Sequence, residues 1–166
     1  KACCLILSIL WIEFCTSQVN EIKKALEGFG IVTVPDEDPN KLFVPFDLGN
    51  ARFVLMIQYF NDANMTIITT EIPVEFSVEK EESAFLASAY INRSLDFGSA
   101  TYFPDINRIG FKFYLTMEED NLNLGMFFYC YYEAIDLVRK FYPTVELLKK
   151  GAVLPKDVIE MVNNNI

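Results

Sequence analysis

The stretch Ala51-Arg52-Phe53-Val54-Leu55-Met56-Ile57-Gln58-Tyr59-Phe60 decides how this chain folds. It is rich in β-branched and aromatic residues, which favour strands. Gly49-Asn50 stands before it as a hairpin turn signal, and Asn61 to Asn64 makes the next turn. Successive strand residues point to opposite faces. One face carries Phe53, Leu55, Ile57 and Tyr59; the other carries Val54, Met56, Gln58 and Phe60. Both are apolar, so the strand reads as central and covered on both sides. The second face needs a cover, which the second helix, a dimer mate or a segment of another polypeptide can supply. Val54, Met56 and Phe60 are therefore candidate partner-binding residues.

Working towards the N-terminus, Leu42 to Leu48 reads as a strand, and Pro45 within it argues for an edge position or a bulge. Asp36 to Asn40 is a polar loop. Ile31 to Val34 is a short β-branched run stopped by Pro35. Before it, Val19, Ile22, Leu26 and Phe29 recur at three- and four-residue steps, the mark of one helix face, with Thr16 or Ser17 as cap and Gly28 and Gly30 as the stop.

Working towards the C-terminus, Met65 to Ile72 is the next strand, ended by Pro73. Ser77 caps a second helix with Glu79, Glu81 and Glu82 in its first turns, where the helix dipole favours negative charge. Its apolar residues include Phe85, Leu86, Ala89 and Tyr90, and it ends near Leu95. Ser99 to Phe103 and Arg108 to Met117 form a second hairpin. In the latter, Ile109, Phe111, Phe113 and Leu115 face one way and Lys112, Tyr114 and Thr116 the other, a half-buried antiparallel strand. A long helix starts near Asn121, with Leu124, Phe127, Phe128, Tyr131, Ile135 and Val138 on its core face. Pro143 allows a kink or a restart, and a short helix from Pro155 to Val162 closes the chain. The order α-β-β-β-α-β-β-α gives an α+β fold, an antiparallel sheet of about five strands flanked by helices.

The 166 residues suit one domain, taken as residues 17–166. Residues 1–16 stand apart. The run Ala2 to Ile12 is apolar but shorter than the roughly 20 residues that cross a bilayer. It reads as a targeting remnant after Lys1 or as an extension of the first helix. A cytoplasmic location is expected, with export as the alternative if the segment is a signal remnant. Membrane association depends on that same segment.

A net charge of −9 repels phosphate backbones, and no Lys/Arg stripe offsets it, so nucleic acid is excluded as a partner. The chain has no histidine, which removes the commonest general base and metal ligand. Cys3, Cys4, Cys15 and Cys130 lack the spacing of a zinc site or a disulfide framework, and Cys130 reads as a small core residue. Glu118-Glu119-Asp120 lacks the alternate spacing of a calcium loop. Glu75, Glu79, Glu81 and Glu82 lie on a solvated helix start, without the crowding in a cleft that separates catalytic carboxylate pKa values. Gly28-Phe29-Gly30 lacks the third glycine of a dinucleotide loop. No catalytic residue, metal site or cofactor is expected, and the chain reads as a non-enzyme. Tyr129 and Tyr132 fall off the core face of the long helix. Tyrosines placed so are common at interfaces, and they complete the candidate partner-binding set of Val54, Met56, Phe60, Tyr129 and Tyr132.

The pair Ile91-Asn92 near the end of the second helix, the hairpin from Gly98 to Met117, and the ending Phe141-Tyr142-Pro143, Leu147, Gly151 resemble the bacterial YbjN family over residues 17–151. YbjN proteins share the fold of type III secretion chaperones. The resemblance implies a type III secretion chaperone-like fold and a regulatory or chaperone-like role, in which a small acidic domain, often a dimer, engages an apolar or extended polypeptide segment. It brings no catalytic residue with it. The apolar N-terminal segment departs from the family pattern, and with it stands the alternative of an exported or envelope-associated structural protein.

Overall fold

A computed structural model describes residues 18–116 and 122–164. A helix occupies residues 18–28 (α1), with Val19, Ile22 and Leu26 buried. Its end is closed by Gly30 in the left-handed conformation (φ 73°) and by the Ile31 N–H, which donates to the Leu26 carbonyl at 3.0 Å. That bond ties Ile31 to the helix end. The strand expected over Ile31 to Val34 is accordingly reduced to Val34–Pro35 (β1). The expected caps Thr16 and Ser17, together with Cys3, Cys4, Cys15 and the apolar run Ala2 to Ile12, lie outside the described residues.

The sheet has six strands rather than about five. β2 is Lys41–Leu48, β3 Ala51–Phe60, β4 Met65–Glu71, β5 Ser99–Phe103 and β6 Arg108–Thr116. Every pairing is antiparallel and the spatial order is β1-β2-β3-β4-β6-β5. The fold is α+β.

Three further helices complete it. In α2 (Glu81–Asn92), a single 3-10 turn, Val78–Lys80, separates the helix from Ser77, whose side chain makes no capping bond. The buried side of α2 is Ala84, Ala87, Ser88 and Ile91. Of the apolar residues named from the sequence, Phe85 and Leu86 point to solvent, and Phe85 is 61% exposed. Small residues win the inner position because α2 lies close against β5 at the sheet's margin.

The long helix α3 (Leu124–Lys150) starts at Asn123, whose side-chain oxygen accepts the Met126 N–H at 3.0 Å. It runs through Pro143 without restarting. Pro143 is on the solvent side, where the carbonyl left without a donor can be hydrated, and Phe141, Thr144, Val145 and Leu148 are buried around it. Gly151 (φ 76°) caps the end. A short helix, Val158–Asn164 (α4), packs on α3 and α2.

The core is one layer deep between helices and sheet. Along β3, burial alternates: Phe53, Leu55, Ile57 and Tyr59 are buried, while Val54 and Phe60 are exposed. Ile68 on β4 and Ile109, Phe111 and Phe113 on β6 complete the same inner face. α3 packs on β4 and β6, and the Phe111 and Phe141 rings lie 5.7 Å apart. The helices thus cover one side of the sheet. β3 is central, as its sequence predicts; among the described residues it is covered on one face only, and α2 does not cover the second.

Candidate functional site

The pairing register assembles the other face of the sheet. One row runs Phe43, Met56, Thr69, Lys112 across β2, β3, β4 and β6. The next runs Lys41, Gln58, Ile67, Tyr114. An antiparallel sheet with one solvated face normally alternates apolar inside and polar outside. Here the outer side is apolar over much of its area. Val54 is 46% exposed, Phe60 38% and Tyr114 48%, with Met56 and Ile67 half-buried between them.

The tip of the β5–β6 hairpin borders this face. Gly110 sits on it without a side chain, and the Phe103 ring lies in the space a Cβ would need: such an atom would come within 2.8 Å of Phe103 Cε2 and would also meet the Thr70 carbonyl. Lys112 Nζ rests 4.9 Å from the centre of the same ring. Between this ring, Ile106 and the strand residues Met56, Phe60 and Ile67 is a shallow hollow of about 290 Å³.

Charges on this side of the sheet stand mostly in pairs. Arg52 meets Asp47 at 3.1 Å, Arg108 meets Glu71 at 3.5 Å and Lys41 meets Asp38 at 3.5 Å. Among the described residues Lys112 alone of the strand cations on this face has no carboxylate within ion-pair distance.

At both edges of the sheet some of the outward backbone groups are already taken up. At one edge, the side-chain amide of Asn92 donates to the Ala100 carbonyl at 2.8 Å and accepts the Ala100 N–H at 2.7 Å. These are the backbone groups of β5 that point away from β6, so a side chain occupies the place of a neighbouring strand. At the other edge, the Tyr59 N–H donates to the Asn40 carbonyl, so even-numbered residues of β2 bond to β3 and odd-numbered ones face outward. Val34 takes the place opposite Phe43. Pro45 has no N–H to offer, and its outward position costs the ladder nothing.

Of the five residues singled out from the sequence, Val54, Met56 and Phe60 come together on the open face. Tyr129 and Tyr132 do not join them. They lie on α3 in the helix layer, 54% and 53% exposed, Tyr129 beside Phe97 and Tyr132 stacked on Phe128 at 6.3 Å. The expected single set is two surfaces. Sequence reasoning missed Ile67, Phe103 and Lys112 as members of the site. Alternation had assigned Lys112 and Tyr114 outward, but strand pairing puts Lys112 in the row of Met56, across Thr69, and Tyr114 beside Ile67.

The remaining reactive groups are dispersed. Glu75, Glu79, Glu81 and Glu82 are exposed, and no group of three or more metal-ligating acids or cysteines forms among the described residues. Glu118-Glu119-Asp120 lies outside them. Burial pushes the Cys130 thiol up to about 11, which leaves it protonated and a poor nucleophile at neutral pH. Among the described residues no helix is long and apolar enough to cross a membrane. No protein-family model, curated protein or solved structure gives a significant match to this chain.

Proposed function

We propose that this chain is a YbjN-like, non-enzymatic protein-binding domain whose open sheet face engages an apolar segment of another polypeptide, in a regulatory or chaperone-like role. The observation that carries the reading is the line of exposed and half-exposed apolar residues Val54, Met56, Phe60 and Ile67 where strand alternation calls for polar ones. Contiguous exposed apolar surface marks interaction sites. The paired charges around it resemble the polar rim of a protein interface.

The test uses short synthetic peptides rich in Leu and Phe with uncharged polar residues between them. Hydrogen exchange with peptide present is expected to slow in β3, β4 and β6, and the double variant Met56→Gln/Ile67→Thr is expected to lose the effect. Protection confined to α3 around Tyr129 and Tyr132, or binding that survives the double variant, would overturn the assignment of the face. A cytoplasmic site of action belongs to the same proposal. N-terminal sequencing of the native protein checks it, since a mature chain beginning near Thr16 would mean export.

A further inference from the structure

The exposed rings of the helix layer form a surface of their own, apart from the open sheet face. Phe29, just past the end of α1, is 70% exposed and meets the half-buried Phe128 ring edge-on at 4.9 Å. Phe128 in turn stacks on Tyr132 at 6.3 Å, and Tyr129 stands three residues before Tyr132 on the same helix. Rings gathered in this way carry large apolar area and call for a further layer. Neighbouring charges stand in pairs, Lys23 with Glu27 on α1 and Arg139 with Asp136 on α3. Glu133, beside Tyr132, belongs to no ion pair, which leaves that margin mildly acidic.

The same chain carries an apolar run that needs cover. Ala2 to Ile12 are eleven residues with one polar member, Ser8. Such a run turns apolar groups to every side, and an element apolar all round is stable only when buried. It is too short to span a bilayer. Lys1 is the only charged residue before Glu13, and its sign suits the margin at Glu133.

The tether fits the distance. Gln18 opens α1 and Phe29 lies eleven residues on, about 16 Å away at the helical rise per residue. The six steps from Ile12 to Gln18 reach about 20 Å when extended. A chain that turns back at the Thr16-Ser17 cap therefore brings Ala2 to Ile12 onto the rings. The open sheet face is a longer way from the same point, since the path has to pass round an edge of the sheet. Attachment also holds the run at an effective concentration of about millimolar, which a separate partner would have to outcompete.

We infer that Ala2 to Ile12 dock on the helix layer of their own chain, over Phe29, Phe128 and Tyr132, so that this surface is closed within the molecule and the open sheet face is left for a partner. The inference stands apart from the proposed function and removes Tyr129 and Tyr132 as a competing partner surface.

Trp11 is the single tryptophan of the chain and lies within the run, so its fluorescence in the full chain, Lys1 to Ile166, reports the docking. Its emission is expected to lie to the blue of N-acetyltryptophanamide, and iodide is expected to quench it several-fold less. The double variant Phe29→Gln/Tyr132→Gln changes side chains that are 70% and 53% exposed, outside the core, and should move both readings towards those of the free compound. Leu7→Gln/Leu10→Gln, within the run itself, should do the same. Met56→Gln/Ile67→Thr, on the open face, should leave both readings unchanged. Solvent-exposed readings in the native chain would overturn the inference, and so would shielding that survives Phe29→Gln/Tyr132→Gln. A Trp11 signal that follows the open-face variant instead would place the run on that face, overturning the inference and taking the face from any partner. Shielding lost on dilution would assign the cover to a second copy and overturn it as well.

Discussion

Ile67 and Ile68 are neighbours on one strand and the same residue, yet they belong to two different surfaces. Ile68 is fully buried between Ile57 and Phe113 under the helix layer. Ile67 stands on the other side, beside Gln58 and Tyr114, half-buried in the hollow that Phe103 and Ile106 border. The covered face is a finished core. The open face has much of the composition of a core without the second layer. Since the two share one backbone, the difference among the described residues is in what lies on top of each.

The largest expected effect falls on the covered side. Ile68→Ala removes buried methylenes from a site walled by other core residues and is expected to cost about 2–5 kcal/mol. The urea midpoint measures it. A loss below about 1 kcal/mol would mean that the helices sit loosely on the sheet and that the two faces differ less than their burial indicates.

Cys130, buried in the helix layer, gives a loss of similar size that appears only in alkali. Its thiol sits near 11, above the ordinary value of 9.0, chiefly because burial disfavours the thiolate. The raised value means that the folded chain holds this proton more tightly than the unfolded chain. The contribution is complete below pH 9 and is lost as pH rises from 9 towards 11. Two units correspond to about 2–3 kcal/mol. Tyrosines and lysines titrate in the same range, so the measurement is the difference in alkaline destabilisation between the native protein and Cys130→Ala. Equal slopes would place the thiol in contact with water and the helix layer ajar.

Much of this was legible in the sequence, for reasons that differ by element. β3 and β6 are legible because turn residues bound them, β3 by its run of β-branched and aromatic residues and β6 by its alternation of apolar and polar ones. Pro45 gave away the edge side of the sheet, since proline survives only where its missing N–H faces nothing. The inner side of α2 was not legible, because its larger apolar residues, Phe85 and Leu86, look like core residues. Packing against β5 at close range needed the small Ala84, Ala87 and Ser88 instead, and hydrophobicity alone does not encode distance. The second face of β3 was read as covered because apolar residues usually are. That only Val54, Met56 and Phe60, and not Tyr129 and Tyr132, share this face follows from strand order and helix placement. Neither is written in local periodicity. Asn92 was conspicuous as part of a short motif, but its bond to Ala100 spans two elements and needed the fold.

Two variants probe the boundary between the faces. Gly110→Ala puts a methyl where the Phe103 ring lies and against the Thr70 backbone. It is expected to cost about 1–3 kcal/mol, as overpacking does, and to turn Phe103 off the open face. A fall in the Phe103 ring's upfield proton shifts, or loss of peptide binding, reports the second effect. If the variant is as stable as the native protein, the open face is soft at the hollow. Asn92→Ala leaves the outward groups of Ala100 to water and is expected to cost about 1 kcal/mol, the low end for a lost pair because the edge can hydrate. Its more telling readout is hydrogen exchange at Ala100, which should accelerate while the β4–β6 ladder stays protected. Unchanged exchange there would mean that α2 shields the edge without the amide.

The smallest expected effect is on the open face, and it separates stability from binding. Ile67→Ala removes the same atoms as Ile68→Ala from a position one residue away. Half-buried at an open hollow, Ile67 leaves no closed cavity when it is truncated, so the expected loss is about 1 kcal/mol or less. The same variant should weaken peptide binding, because the atoms it removes are those a partner would cover. Unfolding midpoints of both alanine variants, taken with and without the Leu- and Phe-rich peptide, check both statements at once. Peptide should raise the stability of the native protein by mass action and that of Ile67→Ala much less. A large loss in Ile67→Ala without peptide, growing on dilution, would instead mean that a second copy already supplies the missing layer.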